Sequence, residues 1–258
     1  MIHMSTHMRS NGYAKVRKFL SQWQGFDHRV DVAIQTRAAD LFKEWSRLDN
    51  RIRGDYRKTA PLWNIFDVLR VSHLETKLHT PFLQELFNSQ GRHGQGTLFF
   101  RQLLREIARQ KGGIREGAIN SYARFPFDNE YDSRQEVFDP ISGRMDLVIE
   151  RRQGRNKFCI IIENKIQAVE QRHQMARYEE YLKRHPAKKN RRFLVYLHAR
   201  GDDHRPSSIV KPVLIFRYQN HIRHLLEQCL PTIRPQAIRS TIQQYLDVIR
   251  GFEERASI

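Results

Sequence analysis

Cysteine is almost missing: Cys159 and Cys229 are the two in 258 residues, which excludes a disulfide framework and makes a reducing cytoplasm the expected setting. Long apolar runs are missing too. No stretch approaches the roughly 20 residues that span a bilayer, and the opening Met-Ile-His-Met-Ser-Thr-His-Met-Arg-Ser has no apolar core, so neither a transmembrane helix nor a secretion signal is expected. With 13 Gly and 9 Pro the chain is neither fibrous nor of low complexity. There is no Walker-type phosphate loop and no dinucleotide fingerprint. Acidic residues are scarce against basic ones, 28 to 45, a net charge of +17. That balance points to a polyanionic partner, nucleic acid before anionic membrane.

What is present is the composition of a globular protein, 40% hydrophobic and 28% charged, and long enough to bury a core without staples. Residues 1–12 are expected to be a disordered tail. From Tyr13 to Asp49 apolar residues recur at helical spacing (Val30, Val32, Ala33, Ala38, Leu41, Phe42, Trp45), predicting one or two amphipathic helices in a 13–55 extension. That extension reads equally as a dimerisation element, a partner contact or a cap. The polar stretch Asp49 to Asp55 with Gly54 reads as the junction to a main domain over 56–258. Helical spacing returns from Pro61 to Leu86 and from about Gly96 to Gln110. The period then changes: Glu136 to Phe138, Met145 to Glu150 and Phe158 to Glu163 are short apolar runs separated by turn residues, predicting a three-stranded meander. A helix from about Glu170 to Arg184, strands at Phe193–His198 and Val213–Phe216, and helices over 221–230 and 235–253 complete the pattern. Asp202-Asp203 reads as a turn. The class is mixed α/β (α+β), a sheet with helices on both faces.

The sharpest chemical signal is Asp146 followed 17 residues later by Glu163-Asn164-Lys165. Strand alternation puts Glu163 and Lys165 on one face, with Ile160 and Ile162 on the other. Charges ending a run of Phe, Cys, Ile, Ile and Ile are costly to bury unless they pair or coordinate something. If the two strands are hairpin neighbours, Asp146 lies beside Glu163, and two close carboxylates repel unless a divalent cation or a proton intervenes. Hard oxygen ligands, a cation and a lysine suit phosphodiester hydrolysis. Spacing alone does not separate this from a turn-proximal Asp and an ordinary ion pair at a strand end.

Asp146…Glu163-Asn164-Lys165, followed by Gln174 and Tyr178 on the next helix, resembles the core of the PD-(D/E)XK nuclease superfamily. Upstream, Glu75-Thr76-Lys77-Leu78-His79-Thr80, Phe82, Leu83, Leu86 and His93-Gly94-Gln95-Gly96 resemble one bacterial branch of it, with a helical Glu-x-x-x-His-Ser and a His-Gly-x-Gly. The resemblance covers about residues 61 to 200. It implies a restriction-endonuclease-like sheet flanked by helices and a Mg²⁺ ion, replaceable by Mn²⁺, held by Glu75, Asp146 and Glu163 with the Asn164 carbonyl. It further implies a catalytic Lys165, a Gln174 near the metal that positions water or phosphate, and supporting roles for His79 and Tyr178. A homodimer or larger complex, and a role in bacterial defence or mobile-element biology, are implied in the same way. Met145-Asp146 stands where Pro-Asp is usual. Thr80-Pro81 stands where the pattern has Ser in a continuous helix, and Pro at that point predicts a kink or restart that would displace Glu75.

Lys183, Arg184, Lys188, Lys189, Arg191 and Arg192 form an acid-free basic run after the Gln174 helix, and Arg151 and Arg152 a second basic turn. Both read as phosphate contacts, with a solvated charge run as the alternative. His73, Glu75 and His79 lack the spacing and the Cys partners of a zinc site. Two functions follow: a metal-dependent nuclease acting on DNA, with RNA less favoured, or a nucleic-acid-binding module on the same fold.

Overall fold

The computed structural model describes residues 5–60, 62–112, 131–166, 171, 173–199, 206 and 213–255. The chain divides into two compact units, Met1–Trp63 and Asn64–Ile258. The first is one helix, α1 (Ser5–Thr59). It runs through residues 5–12, expected as tail, and through Asp49–Asp55, expected as a junction. The local reason for the second is visible: Arg53 Nε reaches Asp49 Oδ2 at 2.7 Å one turn away, and a single interior glycine costs a helix only about 1 kcal/mol.

The second unit is built on a five-stranded sheet in the order β1-β2-β3-β4-β5. The strands are β1 (Asp132–Asp139), β2 (Gly143–Arg151), β3 (Phe158–Lys165), β4 (Arg192–His198) and β5 (Val213–Arg217). The first three form an antiparallel meander, with Leu147 opposite Ile162 and Ile149 opposite Ile160. Asp139 Oδ2 accepts the N–H groups of Ile141 at 3.2 Å and Ser142 at 2.7 Å, and Gly143 at φ +86° closes the β1–β2 turn. After β3 the chain crosses over through the helix Gln174–Arg184, α5, and β4 joins parallel, Lys165 opposite His198, followed by parallel β5. Meander, crossover helix and further strands are the order predicted from the change of period. Asp202-Asp203 lies outside the described residues.

Helices cover both faces, so β3, in the middle, is buried at every residue. On one face Leu147, Ile149, Ile160, Ile162, Val195 and Leu197 pack against α3 (Thr80–Phe87), α4 (Leu98–Gly112), α6 (Arg223–Cys229) and α7 (Gln236–Arg255). The apolar positions of α4 recur at Phe99, Phe100, Leu103, Leu104 and Ile107, one helix face. On the other face Val148, Cys159, Ile161, Leu194 and Tyr196 meet Met175, Tyr178, Tyr181 and Leu182 of α5 (Gln174–Arg184). A short helix α2 (Ile65–Val68) is capped by Asn64, whose side chain accepts the Phe66 N–H. Among the described residues no helix is long and apolar enough to cross a membrane.

Candidate active site

Polar residues enter the otherwise apolar β3 at its C-terminal end, and alternation sends them to different faces. Glu163 and Lys165 follow Cys159 and Ile161 onto the α5 side, where Lys165 Nζ meets Glu163 Oε1 at 2.6 Å. Gln174, the first residue of α5, donates through Nε2 to the same Glu163 oxygen at 2.6 Å and to Tyr178 Oη at 2.8 Å. Tyr178 passes its own proton to the Arg144 carbonyl. Gln174 and Tyr178 sit four residues apart on one helix face, and both are buried. Glu163 is fully buried, and its other oxygen, Oε2, has no hydrogen-bond partner among the described residues. An orphaned carboxylate oxygen in a dry site is expensive unless a proton or a cation meets it.

Asp146 on β2 and Glu75 reach the same strand end from either side of Lys165. Asp146 Oδ2 accepts the Asn164 N–H at 2.8 Å, and Glu75 Oε2 accepts the Ile166 N–H. The charge arrangement is uneven, three carboxylates to one ammonium. Burial, and then the nearby Asp146 charge, push the Glu163 carboxyl up to about 8. Burial, with Glu75 and Glu136 adding repulsion, pushes Asp146 up to about 6. Burial works against the Lys165 ammonium, but attraction to Glu163, Asp146 and Glu75 outweighs it and raises its pKa, so it stays a cation.

The helix bearing Glu75 does not restart at Thr80-Pro81 as the proline predicts. It widens instead. Glu75–His79 is a π turn that runs straight into α3. Pro81 has no N–H to give and its ring conflicts with the carbonyl four residues back, and the wider turn just before it removes the conflict. Thr80 is no N-cap. Its Oγ1 accepts the Asn164 side-chain N–H at 3.1 Å, while Asn164 Oδ1 accepts from Tyr218 Oη at 2.9 Å. The Asn164 side chain is thus on the face opposite Glu163 and Lys165, locked between two elements. Tyr218 begins a second π turn, Tyr218–Ile222, immediately after β5. His79 is buried with Nε2 on the Ser72 carbonyl at 3.0 Å and Nδ1 at Tyr245 Oη at 2.8 Å. A carbonyl only accepts, so Nε2 carries the proton and the ring is neutral, its pKa driven down by burial to about 4. His79 therefore supports the Glu75 turn from behind. Tyr218, Tyr245 and Ser72 were not legible as site supports, because nothing local marks them: their partners lie 54, 166 and 7 residues away.

The basic run does not gather at this site. Arg192 pairs with Cys159 at the start of β3, six residues from Lys165, about 20 Å along the strand. Arg184 is held by Asp139 at 2.6 Å and by Ser142 Oγ, and Arg192 by the carbonyls of Ala187 and Lys183. Lys183 pairs with Glu180 at 2.7 Å, and Arg191 reaches Asn156 at 3.4 Å. Lys188 and Lys189 are exposed. Arg151 is half-buried, and Arg152 joins Glu150 at 3.1 Å and Tyr181 Oη at 2.6 Å. These arginines act first as braces of α5 and the hairpin.

Among the described residues, the set of His, Cys, Asp and Glu ligand atoms lying within 4.8 Å of one another is Glu150, Cys159 and His185, not the three carboxylates above. It is a poor metal cradle. His185 Nδ1 already accepts the Ala187 N–H at 3.1 Å, so the proton is on Nε2, facing Glu150 Oε2 at 3.3 Å. Glu150 is charge-balanced by Arg134 and Arg152 and, despite burial, is pulled down to about 2 by the adjacent His185 ring, by Arg152 and by the arginine charges. Burial pushes the Cys159 thiol well up, away from the thiolate a metal needs. Glu75, Asp146 and Glu163 are the better fit to a divalent ion: hard oxygens only, excess negative charge and one buried oxygen with no partner.

A mixed sheet flanked by helices, with a Glu and a Lys at the end of its central strand and an Asp on the neighbouring strand, is the arrangement that the sequence leads one to expect of a nuclease fold. A profile of the PD-(D/E)XK nuclease superfamily matches residues 63–247, and the chain belongs to that superfamily. Its nucleases use divalent metals. Comparisons with curated proteins and with solved structures give no match.

Proposed function

We propose that the protein is a Mg²⁺-dependent deoxyribonuclease, acting in the cytoplasm and in bacterial defence. The observation that carries the reading is the orphaned, buried Glu163 oxygen beside Asp146 and Lys165. Asp146 and Glu163, with Glu75 and the Asn164 carbonyl, would hold the ion, which on binding polarises the scissile phosphate and lowers the pKa of a bound water. Lys165, kept cationic by its neighbours, offsets charge developing at the phosphorus and orients the attacking water. Gln174 fixes the carboxylate plane of Glu163, and Tyr178 fixes Gln174. The test is incubation with supercoiled plasmid, linear single-stranded DNA and RNA in Mg²⁺, Mn²⁺ and EDTA. Metal-dependent cutting of DNA is expected. Tight, salt-sensitive binding with no cutting under any metal would transfer the reading to a binding module.

Lys188 and Lys189, which precede Arg192 in the chain, support a second contact. A duplex lying along the strand direction would pass the Arg192 end of the sheet about six base pairs from the cleavage point, from the roughly 20 Å separation of Arg192 and Lys165 and a 3.4 Å rise. Replacing both by Ala is expected to weaken binding several-fold for every sequence and to lower the salt slope by about 1–2, without changing cleavage at saturating DNA. An unchanged salt slope would remove them from the interface.

A further inference from the structure

α1 is a 55-residue helix, about 80 Å long at 1.5 Å per residue, and its large apolar side chains are exposed. Val16, Phe19, Leu20 and Trp23 in one half, and Ile34, Leu41, Phe42, Trp45, Leu48 and Ile52 in the other, each expose between 46% and 73% of their surface. At 100° per residue they share one stripe. Val16, Ile34 and Ile52 are spaced by 18 residues, five full turns, so they lie directly above one another. From Ile34 the spacing runs 34, 41, 45, 48, 52, the three-four alternation with which two helices interlock. Two apolar segments on one side of a helix this long are matched by a partner of similar length and equal period.

We propose that the partner is α1 of a second copy, running antiparallel about an axis near residue 32. The stripe is close to palindromic. Val16 then faces Leu48, Phe19 faces Trp45 and Trp23 faces Leu41, each pair of positions adding to 64. These three layers set apolar side chains against one another, while Leu20 and Phe42 at the margins of the stripe meet Glu44 and Gln22; a parallel pair would stack Trp23 on Trp23 and Trp45 on Trp45. Charge selects the same direction. Residues 5–26 carry Arg9, Lys15, Arg17 and Lys18 and no acid, while every acidic residue of α1 lies at 27 or later. Parallel pairing would set the two acid-free halves, net +4 each, on one another, whereas antiparallel pairing sets each against residues 27–59, where six acids among eight bases leave +2. Antiparallel pairing about residue 32 sets Lys15 level with Asp49 of the other copy, and Arg17 level with Arg47. The area suffices. Four aromatics per copy at about 150–250 Å² each, even half buried, supply roughly 600–1,000 Å² in the pair. Six aliphatic side chains per copy bring that into the range of a stable interface, about 1,200–2,000 Å².

The test is light-scattering mass on the full chain and on Trp23→Glu/Trp45→Glu. One chain weighs 30.8 kDa. A parent at twice that mass and a variant at the single-chain mass are expected, with the heat-unfolding transition of the nuclease unit unchanged in the variant. Direction is read by oxidation: an equimolar mixture of V16C and L48C is expected to cross-link between chains, and V16C alone is not. A monomeric parent, or a dimer that the charged variant leaves intact, would overturn the proposal. Cross-linking of V16C to itself would overturn the antiparallel arrangement.

Discussion

Asp146→Asn and Lys165→Ala are expected to lower Mg²⁺-dependent DNA cleavage about 100- to 1,000-fold each, the usual effect of removing one preorganised charge from a reaction centre, with DNA affinity nearly unchanged. Asp146→Asn is the informative form. Asn keeps an oxygen that can accept the Asn164 N–H, the 2.8 Å bond that holds this side chain to β3, so the fold survives while a ligand charge is lost. Lys165→Ala removes the cation but also leaves Glu163 Oε1 with Gln174 as its remaining donor. Affinity should hardly move, because non-specific binding follows phosphate contacts over the whole basic surface of a +17 chain. The double variant should be little worse than either single one if the two groups serve one step. Near-parental cleavage in both single variants would place the chemistry elsewhere. Equal loss of affinity and cleavage in Asp146→Asn, with a lowered melting temperature, would make Asp146 a structural residue.

How far the sequence already disclosed this site depends on the range of the interaction. Alternation within β3 put Glu163 and Lys165 on one face because strand geometry repeats every two residues, and that holds in the structure. The hairpin relation of β2 to β3 brought Asp146 to the same strand end, 17 residues being enough for one tight turn. The four-residue step from Gln174 to Tyr178 was equally local. What could not be read was set by long-range packing. Asn164 is clamped by Thr80 and Tyr218, 84 and 54 residues distant. Pro81 announced a disturbed helix, but whether the helix breaks or widens depends on what packs behind it, here His79 against Tyr245 and Ser72. The basic run misled for a related reason. Sequence nearness to Gln174 looked like nearness to the site, yet α5 carries the chain nine residues along the sheet before the run begins at Lys183 in its last turn, and arginines there are already committed to Asp139 and backbone carbonyls. The 13–55 extension was legible as amphipathic helix, though not as one uninterrupted rod.

The second large effect is on stability, and its sign follows from the raised carboxyls. In the folded protein Glu163 titrates near 8 and Asp146 near 6, against about 4 for both in an unfolded chain. Between these values the folded state holds more protons than the unfolded one, so stability is greatest below about pH 4 as far as these groups are concerned, and falls as pH rises through 6 and 8. The metal-free protein should therefore lose on the order of a few kcal/mol between pH 5 and pH 8.5 from this pair. Divalent ion binds the ionised form, so Mg²⁺ should raise the melting temperature more at pH 8.5 than at pH 5.5. Glu163→Gln should flatten both dependences. It removes one of three carboxylates gathered around one ammonium, and the Gln side chain fits the same volume between Lys165 and Gln174. In the absence of metal the variant is expected to melt at or above the parent at pH 8.5, and to be inactive. Thermal melts of both proteins across that pH range, with Mg²⁺ and with EDTA, check this. A parent whose metal-free stability rises from pH 5 to 8.5, with no gain from Mg²⁺ at either end, would mean that Glu163 is neutralised by Lys165 alone and that this strand end is an internal ion pair instead of a metal site.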